Sequence, residues 1–202
     1  LTDVIFVLAS ASARNGRTSW ANAYTDLQDA LAESISGNRI RVAAGTYKPT
    51  AGTDQNASFI MKYGVAIHGG FAGNENPDTF DLSDRDISGN ETILSGDIGT
   101  PDDSSDNSFH VVVGANNAVL NGFTIIGGNA NGIGPNAYGG GMYNFGSSPM
   151  VTNCTFTQNS ASLRGGGMCN WVSSNPTVTT CLFVAIQRTF TAAGCTTSEA
   201  AR

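Results

Sequence analysis

Apolar and polar positions alternate in short runs along this chain, and each run stops at Gly, Asn, Pro or Asp. Such runs predict brief strands between tight turns. They fall at Asp3–Ala9, Arg39–Ala43, Ser58–Met61, Val65–His68, Thr92–Leu94, Phe109–Val113, Val119–Ile126, Met150–Thr157 and Thr177–Phe183. One segment departs from this period. Thr25–Ser36 carries Leu27, Ala30, Leu31 and Ile35, with Ala23 just ahead, on one helical stripe; Thr25 and Gln28 form a capping box and Gly37 is the stop. A single helix followed only by strands predicts a lid over the open end of a strand stack, where bare edges invite aggregation.

The strands recur with a period. Gly139–Phe156 reads GGGMYNFGSSPMVTNCTF and Gly165–Phe183 reads GGGMCNWVSSNPTVTTCLF, with Met142, Asn144, Pro149, Cys154 and Phe156 returning as Met168, Asn170, Pro176, Cys181 and Phe183. An offset of 26 residues, 27 after the extra Asn175, marks a solenoid whose repeats bury their apolar faces by stacking. Brief, aligned strands favour three-sided coils over a hairpin sandwich. Asn144 and Asn170 fall at equivalent turn positions and are expected to bond as an asparagine ladder. Cys154 and Cys181 are expected to stack inward.

After Phe183 the pattern breaks. A third repeat predicts GGGM at residue 192, where the chain reads AAGCTTSEAAR to its end. A coding sequence for GGGMYNFGSSPM, read one base later, translates as AAGCTTSEAAR and a stop, and bases encoding VAIQRTFT also encode SGNTANFH in the neighbouring frame. The restored text, CLFSGNTANFHGGGMYNFGSSPM, parallels Cys154 onward. The expectation is a frameshifted tail over 184–202, after an N-terminal strand and capping helix over 1–38 and coils over 39–183. A solenoid ending in this way is expected to be covered by its tail or to self-associate through the open C-terminal end.

At 202 residues the chain is one domain, and 40% hydrophobic residues exclude a disordered one. Charged residues are only 13% and Gly numbers 25, which suits a secreted β-rich protein with many turns. A net charge of −6 argues against nucleic-acid binding, which needs clustered Lys and Arg on phosphates. No run is long enough to span a membrane. The four cysteines lack zinc spacing and read as buried free thiols rather than a disulfide framework.

The repeats also carry a resemblance. The chain resembles the bacterial secreted right-handed parallel β-helix proteins, with repeats similar to those of the chlamydial polymorphic outer-membrane proteins. Their F-x-x-N and G-G-[AG]-[ILM] signatures correspond to Phe156–Asn159 and Gly166–Met168, with Gly140–Met142 a further match. SWANAYTDLQDAL followed by VAAGTYKPT resembles the start of many such bacterial surface proteins. The resemblance covers nearly all of residues 1–183. It implies an all-β chain, a right-handed parallel β-helix with an N-terminal capping α-helix, secreted or on the cell surface. It says little of activity, because the fold hosts lyases, hydrolases, adhesins and stalks.

Three chemistries compete for the residues. Ten of the sixteen acids fall between Glu75 and Asp106, and Asp97, Asp102, Asp103 and Asp106 cluster in one loop, a pattern that suits Ca²⁺ though not in EF-hand spacing. A calcium-dependent polysaccharide lyase or glycoside hydrolase on an acidic polysaccharide would draw on those acids and on a base from Lys48, Lys62, Arg85 or Arg164, which are scattered. His68 and His110 sit in apolar strands and read as packed or hydrogen-bonded. Tyr143, Phe145 and Trp171 fall in turns of adjacent repeats and suit a platform for sugar rings, or rigid packing of the rod. The leading expectation is a non-enzymatic module that binds a glycan or a cell-surface component, or extends a surface.

Overall fold

The computed structural model describes residues 4–11 and 18–188 together with the strand Thr196–Thr197. Within these residues the chain winds as a parallel β-helix. The first sheet stacks β1 (Val4–Val7), β2 (Arg39–Ala43), β5 (Ala66–Phe71), β8 (Val119–Asn121), β12 (Met150–Thr152) and β16 (Thr177–Thr179). The second stacks β3 (Gly45–Tyr47), β6 (Thr92–Ser95), β9 (Thr124–Ile126), β13 (Thr155–Thr157) and β17 (Leu182–Val184). The third holds β4 (Phe59–Ile60), β7 (Val112–Val113), β11 (Met142–Phe145) and β15 (Met168–Trp171), with β19 (Thr196–Thr197) antiparallel beside β15. A short fourth side, β10 (Asn129–Ala130), β14 (Ser160–Ala161) and β18 (Gln187–Arg188), adds a corner to the expected three-sided coil.

Alternation along each strand sends one set of side chains inward. Ile5, Ile40, Ile67, Leu120, Val151 and Val178 are register partners along the first sheet, and Tyr47, Leu94, Ile125, Phe156 and Phe183 along the second. The Phe156 and Phe183 rings lie 4.7 Å apart and nearly parallel. Each fully buried Ile, Leu or Phe contributes roughly 1.5–3 kcal/mol, so these columns are the main source of cohesion.

Three predicted long strands are each two strands joined at a corner. The corner residues Gly122, Asn153 and Thr180 have φ of 83°, 53° and 52°. A single left-handed residue turns the chain sharply, and hydropathy gives no sign of it. The glycine triplets serve close approach: a Cβ on Gly140 would run into the Ser160 carbonyl, and one on Gly141 into the Gly167 carbonyl.

The helix α1 spans Leu27–Glu33, shorter than expected. Its N-cap is Asp26, whose carboxylate accepts from the Gln28 N–H at 2.8 Å, so Asp26 displaces Thr25 in the capping role. Ser34 turns extended and Lys62 donates to the Ala32 and Ser34 carbonyls, which closes the helix and leaves Ile35 exposed rather than on the buried stripe. Leu27, Ala30 and Leu31 enter the same core as Ile5 and Val7, so α1 covers the core at its β1 end.

The coil β5–β6–β7 makes two excursions, 72–91 and 96–111, and these carry the acidic band. Among the described residues after Phe183, Val184 pairs with Thr157 and Gln187–Arg188 with Ser160–Ala161. The rest of the expected tail lies largely outside the described residues. No helix among them is long and apolar enough to cross a membrane.

Candidate functional site

Two regions of the surface bring chemistry-bearing side chains together. The first is the outer face of the third sheet. Tyr143, Phe145 and Trp171 lie in strands β11 and β15, not in turns, because inward Met142, Asn144, Met168 and Asn170 alternate with them. Phe145 and Trp171 are register partners, one strand spacing apart. Phe145 is 59% exposed and Trp171 is half-buried, braced edge-on by Tyr138 at 4.4 Å. Tyr143 is buried, stacked between His110 at 4.9 Å and Phe145 at 6.3 Å. Ile60, 60% exposed, and Val113 extend this apolar face in register with Tyr143.

The strip is anchored from beneath. The Asn144 side-chain amide donates to Asn170 Oδ1 at 2.7 Å, the expected ladder, formed inside the strands rather than at a turn. The ladder stops at Gly114, where a side chain would strike Asn144 Oδ1. Burial lowers the pKa of His110, whose Nδ1 lies 3.1 Å from the Gly139 carbonyl.

The second region is a groove of about 920 Å³ along the corner between the first and second sheets. Asn153, Thr155 and Thr180 lie on one side, and Arg85, Asp86 and Glu91 of the 72–91 excursion on the other. Cys154 and Cys181 reach its floor as free thiols in successive coils, the expected inward ladder. The reading of all four cysteines as free fails for Cys169, which is disulfide-bonded; Cys195 lies outside the described residues. A hydrogen bond with Cys154 lowers the Cys181 pKa, while burial raises that of Cys154.

The four acids of the expected metal site do not converge. Asp97 pairs with Lys48 at 3.1 Å and accepts from the Asp102 N–H at 3.0 Å. Asp103 accepts from the Ser105 N–H, and Asp106 from the Thr100 N–H. Asp97 and Asp102 alone share a pocket of about 340 Å³ with Ser104, Asn107 and Gln158. Asn107 Oδ1 is buried without a hydrogen-bond partner. No three His, Cys, Asp or Glu side chains among the described residues are grouped to hold a metal.

The bases named for an enzyme are engaged or buried. Lys48 pairs with Asp97, Lys62 caps α1, and Arg164 is buried. Arg85 donates to the Gly69 and Leu82 carbonyls and to Asn121 Oδ1.

The family described as Protein of unknown function (DUF1565) matches residues 14–200. No curated protein and no solved structure matches the chain.

Proposed function

The chain belongs to the DUF1565 family, and on that footing we propose that it is a non-enzymatic module, secreted or displayed at a cell surface, that binds a polysaccharide through the outer face of its third sheet. The observation that carries this reading is the in-register pair Phe145 and Trp171, apolar, accessible and held from beneath. A sugar ring stacks on such a pair at low entropic cost, because the strand backbone and Tyr138 already fix the rings. Calcium is the second part of the proposal: beside Asp97 and Asp102 it would displace Lys48 from Asp97 and take the unpartnered Asn107 Oδ1, with Ser104 and Gln158 supplying further neutral oxygens.

The test is retention on insoluble polysaccharides without release of reducing ends or unsaturated products. Trp171→Ala and Phe145→Ala should each lose retention at least tenfold with the melting temperature nearly unchanged; undiminished retention by both refutes the platform. A calcium titration of the wild type and of Asp102→Asn tests the ion: heat of binding in the first and none in the second is expected. An equal response in both refutes the placement.

The second reading is a polysaccharide lyase or glycoside hydrolase. It draws on the groove of about 920 Å³, whose lining includes Asp86, Glu91, Asn153 and Thr180. Turnover lost on Glu91→Gln would establish it in place of the binding reading.

A further inference from the structure

The outer face of the first sheet carries a second, unrelated constellation. Phe6, Arg41, His68 and Asn121 are successive register partners there. The 72–91 excursion folds over them, packing Phe80 and Leu82 near Phe71 and Phe6. The Arg41 and Arg85 guanidinium carbons both stand over the Phe71 ring, at 5.6 and 5.5 Å. Arg41 is 7% exposed, and its one hydrogen bond is a long 3.5 Å contact to the Pro77 carbonyl; its Nε has no partner. His68, 9% exposed, sits beside it in the ladder with Nδ1 unpartnered.

No carboxylate among the described residues forms an ion pair with either guanidinium. Among the described residues the sole ion pair is Lys48–Asp97, elsewhere in the fold. Three acids of the covering excursion serve their own turns, and Glu91 accepts from the Thr124 hydroxyl. Glu75, the one carboxylate acting on Arg41, accepts from the Ala72, Gly73 and Asn74 N–H groups. Asp81 accepts from Ser83, and Asp86 from Ser88 and Gly89. Arg39 adds a further positive charge. A chain of net charge −6 thus encloses two guanidiniums without an ion-pair partner beside two buried nitrogens without a hydrogen-bond partner, Arg41 Nε and His68 Nδ1. Buried charge without a partner is costly, and buried guanidinium is the group best matched to planar and tetrahedral oxyanions.

We propose that Arg41, His68 and Arg85, beneath the 72–91 excursion, hold an oxyanion: a free sulfate or phosphate, or the carboxylate of an acidic sugar. Arg41 Nε and His68 Nδ1–H donate to it, and Arg85 supplies charge from beside Phe71. The site lies on a different sheet from Phe145 and Trp171, so it stands or falls independently of the aromatic platform.

His68 and His110 are the two histidines of the chain, and His110, on another sheet, is an internal control. The imidazole resonances are followed by NMR against pH at constant ionic strength in chloride, sulfate, phosphate and glucuronate. An anion at this site favours protonated His68, so its pKa should rise by about one unit while His110 stays put; that is tenfold tighter binding to the protonated form. A rise in sulfate and phosphate assigns a free inorganic anion, and a rise in glucuronate alone assigns a sugar carboxylate. Arg41→Gln should abolish the rise. No rise of His68 beyond that of His110 in any anion overturns the proposal, with or without the variant.

Discussion

The side chain of Asn159 is where one coil is fastened to the coil before it. Asn159 is wholly buried; its Oδ1 accepts from the Gly128 N–H at 2.9 Å and its Nδ2 donates to the Ile125 carbonyl at 2.9 Å. Asn159→Ala removes both partners at once and leaves a buried donor and a buried acceptor unmet. Each orphan costs about 1–3 kcal/mol, so the variant should lose about 4 kcal/mol, a large share of the 5–15 typical of a domain. Equilibrium urea unfolding measures this as a lower midpoint with an unchanged slope. Asn159→Asp sharpens the test, because it keeps the shape but turns an oxygen toward the Ile125 carbonyl. Its buried carboxyl should have a raised pKa, so its deficit should be greatest at neutral pH and shrink as pH falls and the acid proton replaces the lost donor. A loss below about 1 kcal/mol in Asn159→Ala, well under one orphan per bond, refutes the reasoning.

Burial, then Arg85, Arg39 and Arg41, hold the His68 pKa down to about 4, below its unfolded value. Its contribution to stability is therefore complete above about pH 6.5 and lost as pH falls toward 4, roughly 3 kcal/mol in all; unfolding in chloride should show this slope, and His68→Leu should flatten it. Cys181 should be alkylated by iodoacetamide ahead of Cys154 and at a pH below that of an ordinary thiol; Cys154→Ala should move that pH upward, and equal rates at the two cysteines would contradict the coupling. Gly141→Ala should cost about 1–3 kcal/mol or more, since its Cβ meets the Gly167 carbonyl, Asn159 and Phe156. Gly146→Ala, with only the Val172 carbonyl at 3.8 Å, should lose no more than the strain of φ +60°, so thermal melts of the two separate contact from backbone strain.

How much of this was legible in the sequence depends on what carried the signal. The period of 26 residues, 27 after Asn175, placed Asn144 over Asn170 and Cys154 over Cys181, because identical side chains at the repeat offset must stack in a solenoid. The same period did not show that Asn144, Phe145 and Trp171 are strand residues. M-Y-N-F reads as a turn beside GGG and GSS, and its alternation emerges only once the neighbouring coil supplies partners. The corners at Asn153 and Thr180 were hidden for a related reason: a left-handed residue leaves no hydropathic trace in a run such as MVTNCTF. The cap of α1 moved by one residue because Thr25 and Asp26 are both competent caps, and it is the Asp26 carboxylate that meets the Gln28 N–H. Least legible was the cluster of Arg41, His68 and Arg85, which unites two strands and an excursion separated by up to 44 positions (85 less 41). Within F-x-x-N, the Asn could be read as a motif but not as a fastener. One coil on, its register position is Ile186, which has no amide to repeat the bond.

The successive corners also decide how the molecule bears a pulling force. A coil of 26 or 27 residues advances the stack by one strand spacing, about 4.8 Å, yet spans roughly 90 Å when drawn out. Tension applied to an end peels one ladder rung at a time, because each strand is paired only with the strands of the adjacent coils. The rod therefore yields in steps, and a coil of that length releases nearly twenty times what it surrenders from the stack while the coils behind it stay wound. A fold assembled by stacking thus behaves under load as a spool.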